Sequence, residues 1–97
     1  DYIQGHPKYN NKTALLITTD HGRGHSPMTE WKNHGSKTMD SNQIWIAAMG
    51  PGVKTLGEVK TPGRSFQNQI ASTMAKLLGY DFTAFNVEIG SPLETMK

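Results

Sequence analysis

The sequence has no cysteine among its 97 residues, so disulfide bonds and thiolate metal sites are excluded, while the redox compartment stays undecided. It also lacks a long hydrophobic run, because the longest one covers only residues 44–49, far short of the ~18 residues that a membrane-spanning helix needs. Lysine and arginine form no cluster, and the net charge is only +2. The composition therefore indicates neither a membrane segment nor a nucleic-acid-binding surface.

A starting methionine and a signal or targeting pattern are also missing, and the first residue is Asp1. We therefore expect the chain to be part of a longer protein, whose cellular compartment and oligomeric state are left open. The length allows one domain at most, and a chain of this size can bury only a modest core.

Two short apolar runs are present, at residues 13–19 and 44–49. Each ends abruptly, the first at Asp20-His21-Gly22 and the second at Gly-Pro-Gly, residues 50–52. Both runs are too short for helices and do not alternate with polar residues, which is typical of strands buried on both faces. Two such strands predict an α/β fold with a parallel sheet that is covered by helices on both sides.

Only one strong helix is predicted. Ser65 is a candidate N-cap, Gly79 is a candidate stop, and apolar residues recur at helical spacing between them. The apolar positions are Phe66, Ile70, Met74 and Leu77. Because one helix cannot cover both faces of a sheet, we expect further strands and helices outside this chain, which would make the fold incomplete on its own.

The stretch from Asp20 to Asn42 has no apolar periodicity, yet it holds three of the four histidines. Long loops of this kind in compact domains are usually functional or disordered. Asp20 and His21 directly follow a predicted strand, at the edge where open α/β sheets bind ligands. A carboxylate and an imidazole are ordinary ligands of Zn²⁺ or Mn²⁺, although Asp-His-Gly is also a common turn.

Other side chains of this loop are candidates for the same site. His34 follows His21 by thirteen positions, a spacing that lets the loop fold back. His25 competes with His34, but a solvated loop histidine is its more ordinary interpretation. We expect Trp31 to anchor the loop on the core, and Arg23 either to meet an anionic substrate group or to stay solvated.

The order of the motifs resembles the C-terminal part of the alkaline phosphatase superfamily over about residues 9–93. The motifs are Thr-Thr-Asp-His-Gly-Arg-Gly at 18–24, Trp31, His-Gly at 34–35, Ile-Trp-Ile-Ala at 44–47, Gly-Pro-Gly at 50–52, Gly-Glu at 57–58, Gln-Ile-Ala at 69–71 and Leu-Leu-Gly at 77–79. The most similar members are phosphodiesterases, nucleotide pyrophosphatases, phosphoglycerate mutases and sulfatase-like hydrolases. The resemblance implies an alkaline-phosphatase-like, mostly parallel sheet flanked by helices, with residues 1–97 forming the C-terminal portion of a single metallohydrolase domain.

The resemblance also implies a site with two divalent metal ions, zinc or alternatively manganese. Asp20 and His21 match the pair that binds one ion, and His34 matches the later histidine that completes the other. Such a hydrolase cleaves a small-molecule phosphate ester as a phosphatase or phosphodiesterase. A usual sulfatase would carry Asp-Asn with calcium at this point, so His21 favours phosphoester chemistry.

One departure from the family pattern is that no residue here matches its Thr or Ser nucleophile, so we expect the chain alone to be inactive. Two rival functions stay open. One is a non-catalytic structural or binding fragment, and the other is sulfate ester hydrolysis or phosphate isomerisation within the same superfamily.

Overall fold

The computed structural model describes residues 1–82 and 88–94, and its regular elements are short. In chain order they are helix α1 (Tyr2–Gly5), strand β1 (Leu15–Thr18), a 3₁₀ helix (Met28–Lys32), strand β2 (Ile46–Met49), a second 3₁₀ helix (Gln67–Gln69) and helix α2 (Ile70–Leu77). Among these described residues, no helix has the length and apolar character that crossing a membrane requires.

Strands β1 and β2 form a two-stranded sheet and run antiparallel. Thr18, at the end of β1, donates from Oγ1 to the carbonyl oxygen of Trp45, just before β2, at 3.0 Å. At the other end of the pair, Gly50 lies so close to Ala14 that an added Cβ would be 2.8 Å from its Cα. The prediction of parallel neighbours is wrong for this pair. Parallel neighbours need a crossover, usually a helix, and the connecting residues 19–45, all of them described, contain only the first 3₁₀ helix.

Neither strand has a buried residue, contrary to the prediction of strands buried on both faces. In β1 the first two residues are half-buried and the last two exposed, and in β2 half-buried and exposed residues alternate. The eight residues of α2 offer too little apolar surface to cover a sheet on both faces. The larger alkaline-phosphatase-like, mostly parallel sheet stays a prediction, since two strands are too few to test it.

Helix α2 lies where its apolar spacing predicts it, but it begins differently. The N–H of Phe66 donates to Oε1 of Gln69 at 2.7 Å, and the chain enters α2 through the second 3₁₀ helix rather than from a cap at Ser65. The predicted stop is confirmed. Gly79 has a φ of +85°, a left-handed conformation that favours glycine, and the N–H of Tyr80 donates back to the carbonyl of Ala75 at 2.8 Å.

Contacts between Cα atoms divide the chain into two units, Asp1–Leu15 with Met49–Lys97, and Leu16–Ala48. In the first unit, the start of α2 and the residues just before it are hydrogen-bonded to residues 88–93. Thr73 is fully buried, and its Oγ1 donates to the carbonyl of Gln69 at 2.6 Å and accepts from the N–H of Leu93 at 3.0 Å. Within the described residues, the only buried apolar side chains are Val53 and Leu93. The core is therefore small and partly polar.

Candidate metal centre

Asp20 and His21 lie in the second unit, in the turn that leaves β1. Oδ1 of Asp20 accepts the N–H of His21 at 2.9 Å, and Oδ2 lies 3.7 Å from Nε2 of the His21 ring. The Asp20 side chain is 87% exposed and the His21 side chain 34% exposed. The carboxylate and the imidazole therefore face the same accessible space, as the turn after the strand predicted.

Gly22 fixes the path of the chain behind this pair. Its N–H donates to the carbonyl of Ser41 at 2.7 Å. A Cβ on Gly22 would lie 2.3 Å from the carbonyl oxygen of Gln43 and 2.7 Å from that of Asp40, which is closer than real Cβ contacts come. A glycine is required here because the two stretches of backbone approach each other so closely.

The His21 ring has a defined tautomer. Its Nδ1 lies 2.8 Å from the carbonyl oxygen of Gly22, and because a carbonyl only accepts, Nδ1 carries the proton. Metal-binding histidines usually make such a hydrogen bond with the nitrogen that does not hold the metal. In the neutral ring the lone pair is then on Nε2, the nitrogen that lies 3.7 Å from Oδ2 of Asp20.

The separation of these two atoms fits a shared metal ion. Two atoms that bind one Zn²⁺ ion at ~2.0–2.2 Å lie less than about 4.4 Å apart. The 3.7 Å between Nε2 of His21 and Oδ2 of Asp20 meets this condition. The donor types are also correct, since zinc takes imidazole nitrogen and carboxylate oxygen.

His34 folds back onto His21. The two rings stack with centroids 3.9 Å apart and planes 14° from parallel, while the N–H of Gly24 donates to the carbonyl of Asn33 at 3.2 Å and holds the returning chain. The lone pair of an imidazole nitrogen lies in its ring plane. Two nearly parallel rings are therefore poorly oriented to bind one ion together, and the assignment of His21 and His34 to different ions stays a prediction.

The described ligand set is not complete. In residues 1–82 and 88–94, no three His, Cys, Asp or Glu side chains converge in a group that could hold a metal ion. Asp20, His21 and His34 as ligands, and zinc or manganese as their metal, stay predictions.

His25 has a partner that the sequence did not indicate. Its Nδ1 lies 2.9 Å from Oδ2 of Asp40, and Oδ1 of Asp40 accepts from Nε2 of Gln43 at 2.7 Å. Asp40 has a left-handed φ of +67°. The separation of fifteen residues between the two side chains follows no motif, so only the folded loop reveals the pair.

Trp31 does not anchor the loop on the core, which corrects that prediction. Trp31 is 57% exposed. The guanidinium carbon of Arg23 lies 4.9 Å from the centroid of the Trp31 ring. Nη1 of Arg23 also donates to the carbonyl of Trp31 at 3.2 Å. A cation over an exposed aromatic face is attracted to it by only about 0.5–1 kcal/mol, so the pair is a surface contact and not a core anchor.

Comparison of the chain with protein-family models, with curated proteins and with solved structures found no match. The functional conclusion therefore depends on the residues of this loop and their geometry.

Proposed function

We propose that this chain belongs to a metal-dependent hydrolase of phosphoric esters. The observation that carries the proposal is the pair of stacked rings, His21 and His34, with Nε2 of His21 beside the Asp20 carboxylate. The resemblance to the alkaline phosphatase superfamily is the second support. The Thr or Ser nucleophile is assigned to a segment outside these 97 residues.

The residues of the loop have separate tasks in this proposal. Asp20 and His21 hold one divalent ion, and His34 contributes to the second. When bound, two such metal ions neutralise charge on a transferring phosphoryl group and lower the pKa of an attacking hydroxyl.

The loop also supplies a positive charge for an anionic substrate. The Arg23 guanidinium lies over the Trp31 ring and donates to the Trp31 carbonyl, which restricts its position. Guanidinium groups match the geometry of phosphate oxygens. Imidazole at position 21 favours zinc or manganese over calcium, because nitrogen ligands suit these metals. We propose two zinc ions, with manganese as the alternative, and a phosphate ester as the substrate.

The test uses the full-length protein loaded with zinc, assayed on an aryl phosphate monoester, a diester and an aryl sulfate. We expect metal-dependent hydrolysis of a phosphate ester, lost by at least ~100-fold in His21→Ala as zinc content falls. His6→Ala is the matched control, because His6 lies in the other unit, within 5.4 Å of Tyr2. Faster turnover of the sulfate would favour the sulfatase alternative, and no turnover of any ester would contradict the proposal. The 97-residue chain alone is expected to be inactive.

A further inference from the structure

A second pair of titratable side chains lies in the same loop as the candidate metal ligands and has no task in the proposed function. His25 and Asp40 approach within 2.9 Å, from Nδ1 to Oδ2. Since a carboxylate only accepts, Nδ1 donates, and Nε2 is the nitrogen that faces away from the carboxylate. The His25 side chain is 67% exposed, so its ring is accessible from solvent.

Asp40 is held in place more firmly than a surface carboxylate usually is. Its second oxygen accepts from Nε2 of Gln43 at 2.7 Å, its side chain is only 23% exposed, and its backbone is left-handed. The arrangement is the one in which an orienting carboxylate fixes the tautomer of a histidine that transfers protons. His25 and Asp40 form the proton-transfer dyad, and Gln43 supports it by its hydrogen bond to Asp40.

Backbone hydrogen bonds connect the segments that carry this dyad with the segments that carry the candidate metal ligands. Gly24, which precedes His25, bonds to Asn33, which precedes His34. Gly22, which follows His21, bonds to Ser41, which follows Asp40. Each member of the dyad is therefore one residue from a backbone hydrogen bond that also positions a candidate metal ligand.

The geometry points to His25 as the general acid and base of the hydrolase, with Asp40 as its positioning residue. This inference rests on the proposed function. In the first half of the reaction the nucleophile, having given its proton to solvent, bonds to phosphorus while the bond from phosphorus to the leaving oxygen breaks. The electron pair stays on the leaving oxygen, which takes the proton from Nε2 of His25. In the second half water bonds to phosphorus and gives a proton to Nε2, and the nucleophile leaves and is reprotonated by solvent.

The dependence on the leaving group tests this inference. A proton donor matters for an alcohol, which leaves poorly as an alkoxide, and matters little for an acidic phenol. For the zinc-loaded full-length protein we expect His25→Gln to lower kcat/KM for an alkyl phosphate, which covers the steps up to departure of the alcohol, by about 10²–10⁴-fold. The kcat/KM for a nitrophenyl phosphate is expected to change by less than about 3-fold, because its departure needs no proton.

Three further measurements separate proton transfer from a structural role. Asp40→Asn is expected to show the same selectivity for leaving groups to a smaller extent. Asn42→Ala is the control at an exposed position in this loop and is expected to leave kcat/KM unchanged for both substrates. Added imidazole is expected to restore alkyl phosphate turnover in His25→Ala. The zinc content of every variant is expected to equal that of the unmodified protein.

An equal loss in kcat/KM for both substrates, no loss for either, or loss of zinc from His25→Gln would overturn the inference. Each of these results leaves the proposed function intact, provided that the unmodified protein hydrolyses phosphate esters. If the unmodified protein hydrolyses neither ester, the proposed function fails, and the role of His25 fails with it.

Discussion

At the scale of single residues, the candidate site is defined by which histidine the loop brings to His21. The sequence left His25 and His34 as competitors, and the structure places His34 on the His21 ring and His25 on Asp40. The return of the loop was predicted from the thirteen positions between His21 and His34. The pairing with Asp40 could not, because it depends on a left-handed backbone at a non-glycine residue, which no sequence pattern indicated.

The first prediction concerns the assignment of ligands to two ions, measured as zinc content after desalting of the full-length protein. Because the stacked rings are poorly oriented to bind one ion together, Asp20→Ala or His21→Ala is expected to leave about one zinc per chain, held by the set that includes His34. His34→Ala is likewise expected to leave about one zinc per chain, held by the set that includes Asp20 and His21. Disturbing the groups around a metal ligand usually weakens metal binding by ~10–100-fold, so the measurement needs near-saturating zinc. It also needs a mildly alkaline pH, because metal ions compete with protons for their ligands.

A cobalt-substituted sample shows which of the two sites remains occupied, since the spectrum depends on the ligands. His25→Gln is the matched control and is expected to keep both ions. If His34→Ala keeps both ions, or if His25→Gln loses one while His34→Ala does not, the assignment of His34 is wrong.

At the scale of elements, helix α2 shows how far apolar spacing predicts a helix. The position of the helix and its stop at Gly79 follow from the sequence, but the buried face does not. Phe66 is 59% exposed and Met74 48% exposed, although their spacing predicted a core-facing stripe. Residues 88–93 select a different face by hydrogen bonds to polar side chains, and a hydrophobic pattern does not indicate such contacts.

The second prediction tests whether this polar face stabilises the helix. Thr73→Val keeps the shape of a fully buried side chain but leaves the N–H of Leu93 without its acceptor. An unsatisfied buried donor costs about 1–3 kcal/mol, so the free energy of unfolding of the full-length protein in urea is expected to fall by that amount. Thr61→Val, at an exposed position, is the control and is expected to change it by less than about 0.5 kcal/mol. Equal stability of the two variants would mean that solvent replaces the lost hydrogen bond.

At the scale of the whole molecule, the described chain exposes many large apolar side chains and buries few. Val53 and Leu93 are its only buried apolar residues, whereas Leu78 and Tyr80 are 75% and 71% exposed. The two apolar runs could be recognised as strands from the sequence. Their direction and exposure could not, because both depend on the connection between them and on the layers that pack against them.

The last prediction concerns the exposed apolar face of α2. Leu78 and Met74 line a groove of about 510 Å³ together with Tyr80 and Phe82, and polar atoms contribute almost nothing to its surface. Contiguous apolar surface of this kind promotes association in water. We therefore expect the isolated 97-residue chain to bind a hydrophobic dye and to scatter light as a self-associated species at micromolar concentration.

Leu78→Lys is the variant that tests this cause. At 75% exposure Leu78 gives little stability, so a lysine there places a charge in the groove at a cost to the free energy of unfolding within about 0.5 kcal/mol. Dye binding and light scattering are expected to fall clearly in this variant. Lys76→Leu, which removes a charge from the exposed part of the same helix, is the reverse control and is expected to raise both signals. A sharply melting monomer that binds no dye, in the unmodified chain, would contradict the prediction, because it would show that the groove is closed in solution.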